Sequence, residues 1–194
     1  MIPQKHAVLT LAAAAMLAST PAPSLAAAAG TIQAQQPEQS PSAEAEPVRN
    51  ISEWNLTNRS RPLALRGYDP VAYFPEGGGK AKRGNERISV NYRGVNYNFT
   101  SREHRALFTA NPSRYEPAYG GWCAWAMSTG GKTEIDPKNY IVKNDRLFVF
   151  YKGFFADTRK DWLKGNHSSL ANKADGHWRD IAGEEPRRSP VDEG

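Results

Sequence analysis

The segment Tyr119-Gly120-Gly121-Trp122-Cys123-Ala124-Trp125-Ala126-Met127 holds the only cysteine, two of the five tryptophans and one of the three methionines. No other stretch gathers reactive side chains so closely. Two adjacent glycines admit backbone angles closed to other residues, and the Ala, Trp and Met that follow are workable helix formers, so the pattern predicts a turn feeding a helix. Cys123 then falls in the first helical turn, where free N–H groups and the positive end of the dipole favour a thiolate. Met127, four residues on, shares its face. The plain alternative is that Cys123 is a small buried hydrophobe and Met127 a gap filler.

Two further residues carry chemistry. His104 sits one turn into an expected helix after Thr100, where a single exposed histidine is more often solvated than a ligand. Asp69, before Pro70, reads most simply as a turn former bonded to its own backbone. His167 and His177 fall in C-terminal helices and are weaker candidates.

The elements that must position these side chains follow from apolar spacing. Leu63 to Leu65 reads as a short strand, Gly67 to Pro70 as a turn, and Val71 to Phe74 as a second apolar segment ended by Pro75 and three glycines. Residues 88–92 and 95–99 alternate apolar with polar around Arg93-Gly94, the signature of a hairpin. Thr100 followed by Glu103 suggests a capping box, with a helix running to Asn111-Pro112. Glycines 130 and 131 stop the helix that carries the sulfur atoms. Strands at 140–142 and 147–151 flank the turn at 143–146, and helices are expected at about 155–164 and 168–181. Trp162, Leu163, Leu170, Ala174 and Trp178 would face inward. The predicted fold is α+β, a small antiparallel sheet with packed helices in a single domain. No internal repeat of useful length is evident, and no glycine-rich loop has the spacing of a phosphate-binding motif.

Lys5 and His6, the apolar run Ala7 to Ala18 and the small residues around Ala26 form the pattern of a secretory signal peptide. The predicted organisation is a signal peptide at 1–27, a disordered linker at 28–50, the folded domain at 51–182 and a disordered tail at 183–194. The apolar run is too short to span a bilayer, which needs about 20 residues, and no later segment is long enough. The protein is therefore expected to be periplasmic or secreted, without a transmembrane segment. The formal charge of +5 falls to +4 when the signal peptide, with Lys5, is removed. That excess is scattered and not interleaved with aromatics, so no nucleic-acid partner is expected. A single cysteine also precludes an internal disulfide, leaving Cys123 buried, liganded or available to an external thiol.

Asp69-Pro70-Val71-Ala72, Tyr92-Arg93-Gly94-Val95-Asn96-Tyr97-Asn98-Phe99-Thr100-Ser101, Phe108 to Tyr115 and Tyr119 to Met127 together resemble the YHS domain. More narrowly, they are similar to the exported YHS-domain family with a Gly-Tyr-Asp-Pro-Val-Ala-Tyr-Phe opening and a Tyr-Gly-Gly-aromatic-Cys-Ala centre, over roughly Leu63 to Trp178. Other members of the wider family look like metal binders with cysteines after Asp-Pro-Val and around the Phe-x-Ser helix start. Here those positions read Ala72, Thr100 and His104, so a Cys-rich zinc site, which needs four N or S ligands, is excluded. What the resemblance implies instead is a sparser, softer site. Thiolate, thioether and imidazole from Cys123, Met127 and His104 suit copper, Cu(I) above all, better than calcium or magnesium. Some relatives resemble selenoproteins with selenocysteine at the position of Cys123, which implies a reactive chalcogen there.

Three functions therefore compete. The first is binding of a soft, copper-like metal ion through Cys123. The second is thiol redox chemistry with Cys123 as nucleophile, resolved by an external thiol. The third is a protein- or ligand-binding module in which the thiol is incidental. Nothing in the sequence commits the chain to a catalytic reaction.

Overall fold

Two antiparallel hairpins form, the first from alternating apolar and polar residues and the second from the apolar runs Tyr140 to Val142 and Leu147 to Phe150. β1 (Asn85–Tyr92) pairs with β2 (Val95–Phe99), and β3 (Asp136–Lys143) pairs with β4 (Arg146–Phe150). The structure, a computed structural model, describes residues 49–58 and 60–187. The expected signal peptide, the linker up to residue 48, Arg59 and the tail from residue 188 lie outside the described residues. The described chain forms a small α+β domain, but the single sheet expected is two separate two-stranded sheets. Each hairpin turns through two left-handed residues, Arg93 and Gly94 (φ 50° and 84°) or Asn144 and Asp145 (φ 49° and 53°). That backbone matches the strand twist. In both, the five-residue second strand is the buried one and the longer first strand faces outward.

Five helices cover the hairpins: α1 (Arg102–Ala110), α2 (Pro112–Tyr115), α3 (Ala124–Ser128), α4 (Thr158–Lys164) and α5 (His167–Ala182). Ser101, not Thr100, caps α1, its hydroxyl accepting from the His104 N–H at 3.2 Å, because the Thr100 hydroxyl is committed to Asp69. Asp157 and Asn166 cap α4 and α5, and Gly183 (φ 66°) ends α5. Trp162, Ala174 and Trp178 face inward as expected, but Leu163 is 65% exposed. The next residue along a helix lies about 100° round, so turning Trp162 inward turns Leu163 out.

The strand expected at Leu63 to Leu65 is absent. Ala64–Gly67 and Val71–Tyr73 are 3-10 turns, and Leu65 and Arg66 have φ of 50° and 52°. The Asp69 carboxylate accepts the Val71 and Ala72 N–H groups at 2.9 and 3.3 Å, an Asx turn that starts the second of these 3-10 turns.

An internal repeat, not expected from the sequence, relates residues 63–110 to 117–164. The left-handed run Leu65, Arg66, Gly67 (φ 50°, 52°, 81°) recurs as Tyr119, Gly120, Gly121 (φ 56°, 59°, 85°). In each copy the next N–H bonds back to the first carbonyl of the run, Tyr68 to Leu65 at 3.0 Å and Trp122 to Tyr119 at 3.1 Å. Leu63 bridges β2 at Asn96 and Pro117 bridges β4 at Leu147, both in parallel. The Asp69 N–H donates to the Lys82 carbonyl at 2.9 Å, and the Cys123 N–H to that of Thr133 at 3.1 Å. Each copy then runs through a helical turn, a hairpin with a register shift in its first strand, and a helix. Asp69 and Cys123 thus hold equivalent positions.

The packed chain extends past both expected ends of the domain. Arg49 donates to both oxygens of Glu116, at 2.7 and 2.9 Å, with both side chains 1% exposed. Tyr97 donates to the same carboxylate at 2.6 Å, and Arg187 lies 2.8 Å from it. Glu184 accepts from the Trp54 indole at 3.1 Å. Residues read from the sequence as linker and tail therefore close over the core.

Candidate functional site

Asp69 is fully buried. Besides the two turn N–H groups, its carboxylate accepts the Thr100 N–H and hydroxyl, both at 2.7 Å, and contacts His104 Nδ1 at 2.6 Å. The Thr100 hydroxyl, with one proton, already donates to this carboxylate, so His104 Nδ1–H is the donor of the third bond to Oδ2. Neutral His104 then carries its lone pair on Nε2, and its side chain remains 15% exposed. A buried carboxylate fixing an imidazole tautomer is an arrangement that suits both metal ligation and proton transfer. The sequence reading treated Asp69 and His104 separately. The signal available was Asp-Pro before a helical turn, but the partners are 35 positions apart, and the chain between them contains a hairpin whose closure decides that they meet.

Cys123 is the N-cap of α3, not a residue of its first turn, and its side chain makes no capping bond. The sulfur is fully buried, as is Met127 one helical turn on. The expected stabilisation of a thiolate by the N–H groups of α3 therefore has no contact to carry it, and α3 has only five residues. What Cys123 does have is the Thr158 hydroxyl at 3.2 Å from Sγ, at the start of α4. As Asp69 meets a threonine just before the N-cap of α1, Cys123 meets one just after the N-cap of α4, so the two contacts are similar but not at equivalent positions.

Proton bookkeeping gives the Cys123–Thr158 pair a particular property. The Thr158 hydroxyl has two neighbours, Cys123 Sγ and the Tyr151 carbonyl at 3.1 Å. A thiol donates to the hydroxyl, which passes its own proton to the carbonyl; towards a thiolate the hydroxyl turns and donates to sulfur. Tyr151 loses nothing essential in the second case, because its carbonyl also accepts from the Thr158 N–H at 3.1 Å and the Asn139 amide at 3.1 Å. Both states of the sulfur leave the buried polar groups satisfied.

The three expected ligands do not form one cluster of contacts. His104 bonds to Asp69 and Thr100, Cys123 to Thr158, and no hydrogen bond joins the two sets among the described residues. Among those residues no group of three or more His, Cys, Asp and Glu side chains is arranged to hold a metal ion. Trp122 and Trp125 are half-buried: the Trp122 indole donates to the Glu53 carbonyl at 2.6 Å. Tyr119 and Tyr73 are core residues.

A second polar site lies against α5. Arg146 grips Asp175 at 2.7 and 3.1 Å, and the Tyr119 hydroxyl donates to Asp175 at 2.9 Å. Arg146, Asp175 and His167 border a recess of about 220 Å³. His167 Nδ1 accepts from the Trp162 indole at 2.9 Å. Burial, with Lys143 and Arg146 nearby, holds its imidazole below the ordinary histidine range.

Comparison with protein-family models, with curated proteins and with solved structures finds no match to this chain.

Proposed function

We propose that this chain is an exported, YHS-like binding module that takes a soft metal ion, copper-like, with Cys123 as anchoring ligand and Met127 as the second sulfur donor. The observation that carries the reading is the Cys123–Thr158–Tyr151 arrangement, which accommodates a thiolate without stranding a buried polar group. Two sulfur atoms, both fully buried one helical turn apart, make a soft donor set suited to Cu(I). Zinc and calcium sites demand more N, S or O ligands than this pair supplies. His104 belongs to the Asp69 network and stands outside the proposed ligand set. The bound ion would supply only soft Lewis acidity; the protein's part is to exclude water and hold the thiolate through Thr158.

The redox alternative requires an external thiol to reach a sulfur that is wholly covered. Titration of the protein with Cu(I) against a competing chelator tests the metal reading. Wild type should compete and Cys123→Ser should not, with Met127→Leu between them. Equal affinity of wild type and Cys123→Ser would refute binding through the thiol.

A further inference from the structure

Among the described residues the three most exposed large apolar side chains are Phe155 (96%), Phe154 (94%) and Leu163 (65%), and they fall within ten residues of one another. The next, Leu107, is 38% exposed. Phe154 and Phe155 touch only edge to face, 4.7 Å between centroids, at the apex of a closed loop. The loop is built to present them. The Gly153 N–H bonds to the Ala156 carbonyl at 2.9 Å, Lys152 bridges Asp157, and the Thr158 N–H returns to Tyr151 at 3.1 Å. A Cβ on Gly153 would meet the end of the Tyr151 ring, with Cζ at 2.8 Å, so a larger residue there would push that side chain aside. Lys152, Arg159, Lys160 and Lys164 border the same recess, of about 540 Å³, as the two phenylalanines.

We propose that the Phe154–Phe155 apex is a docking tip for an anionic membrane surface. Four cations face two carboxylates between residues 152 and 164. Asp157 caps α4 and accepts from Asn139 at 2.8 Å, while Asp161 and Lys164 offset each other in a pair at 3.1 Å, so Lys152, Arg159 and Lys160 outnumber the one remaining carboxylate. The apex therefore presents rings surrounded by positive charge, complementary to an apolar interface under anionic headgroups. Its shape argues against a protein partner. Two phenylalanines offer roughly 300–500 Å², whereas a standard protein interface buries about 800 Å² on each partner. A bilayer needs no shape complementarity. Among the described residues no helix is long and apolar enough to cross a membrane, so the contact would be peripheral.

The test is sedimentation of the full chain with vesicles of phosphatidylcholine alone or mixed with phosphatidylglycerol. The protein should partition onto the mixed vesicles and be released as salt rises. Phe154→Ser/Phe155→Ser should weaken partitioning by at least about tenfold, one ring's worth of burial. Lys160→Gln and Lys164→Gln should each weaken it about fivefold on mixed vesicles only. Unchanged near-ultraviolet circular dichroism checks that the serine variant is folded. Partitioning no stronger on anionic than on neutral vesicles would overturn the proposal, as would a serine variant that binds like wild type. Self-association abolished by the serine variant, with no vesicle binding, would assign the apex to protein contact and also overturn it.

Discussion

The repeat makes a quantitative contrast between its two equivalent residues, Asp69 and Cys123. Replacing Asp69 by alanine removes an acceptor of five hydrogen bonds between 2.6 and 3.3 Å, at a position with no solvent exposure. Bonds to a charged acceptor are worth about 1.5–3 kcal/mol each, but their sum overstates the loss, because Thr100 and His104 are part-exposed and water can reach them. Counting one such bond and the Val71 N–H left without a partner, since the Ala72 N–H also bonds the Asp69 backbone carbonyl at 3.2 Å, gives about 2.5–6 kcal/mol. Cys123→Ala removes one buried sulfur, while Thr158 keeps the Tyr151 carbonyl, so the cost should be about 1 kcal/mol of transfer and cavity terms. With a slope near 2 kcal/mol per molar urea, the unfolding midpoint should fall by about 2 M for Asp69→Ala and about 0.5 M for Cys123→Ala. Asp69→Asn, which keeps the acceptor oxygen but turns an N–H₂ towards other donors, should lie between them. An Asp69→Ala variant within about 1 kcal/mol of wild type would refute the account of this carboxylate as the anchor of the first half.

Other expectations follow from the charged groups. Glu116→Ala should cost about 3–5 kcal/mol in urea unfolding, since it strands the buried Arg49 guanidinium and the Tyr97 hydroxyl. His167 is held below its unfolded value, so the folded state resists its protonation. The stability it contributes is fully present above the unfolded histidine pKa of about 6.5 and is lost as pH falls through that value towards the depressed one. His167→Gln, which can still accept from Trp162, should flatten that part of the stability–pH curve, measured by thermal melts from acid to neutral pH.

Much of the local structure was legible in the sequence because it rests on short-range physics. The hairpin at Arg93-Gly94 was readable from alternation around a turn dipeptide, and the second from two apolar runs flanking the polar turn at 143–146. Both form where expected, and Trp162, Ala174 and Trp178 face inward as α4 and α5 require. The strand read at Leu63 was not legible as a turn, because its left-handed residues are Leu65 and Arg66, types that rarely adopt that angle without tertiary support. The repeat was hidden for a related reason. Its copies share backbone geometry but few side chains, such as Ala64 with Ala118, Gly67 with Gly121 and Ala72 with Ala126. Hydrogen bonds such as Asp69 to Lys82 and Cys123 to Thr133 can be satisfied by many sequences.

The chain by itself determined that one sulfur would sit after a glycine pair, before a short helix, with a thioether one turn away. Only the tertiary structure decided what that sulfur meets. Thr158 lies 35 residues from Cys123, and Thr100 and His104 lie 31 and 35 from Asp69. Each pair is closed by a hairpin folding its following helix back onto the turn. Contacts made across that distance depend on packing, which buries the turn, and not on the preferences of neighbouring residues, which are all that a linear pattern records.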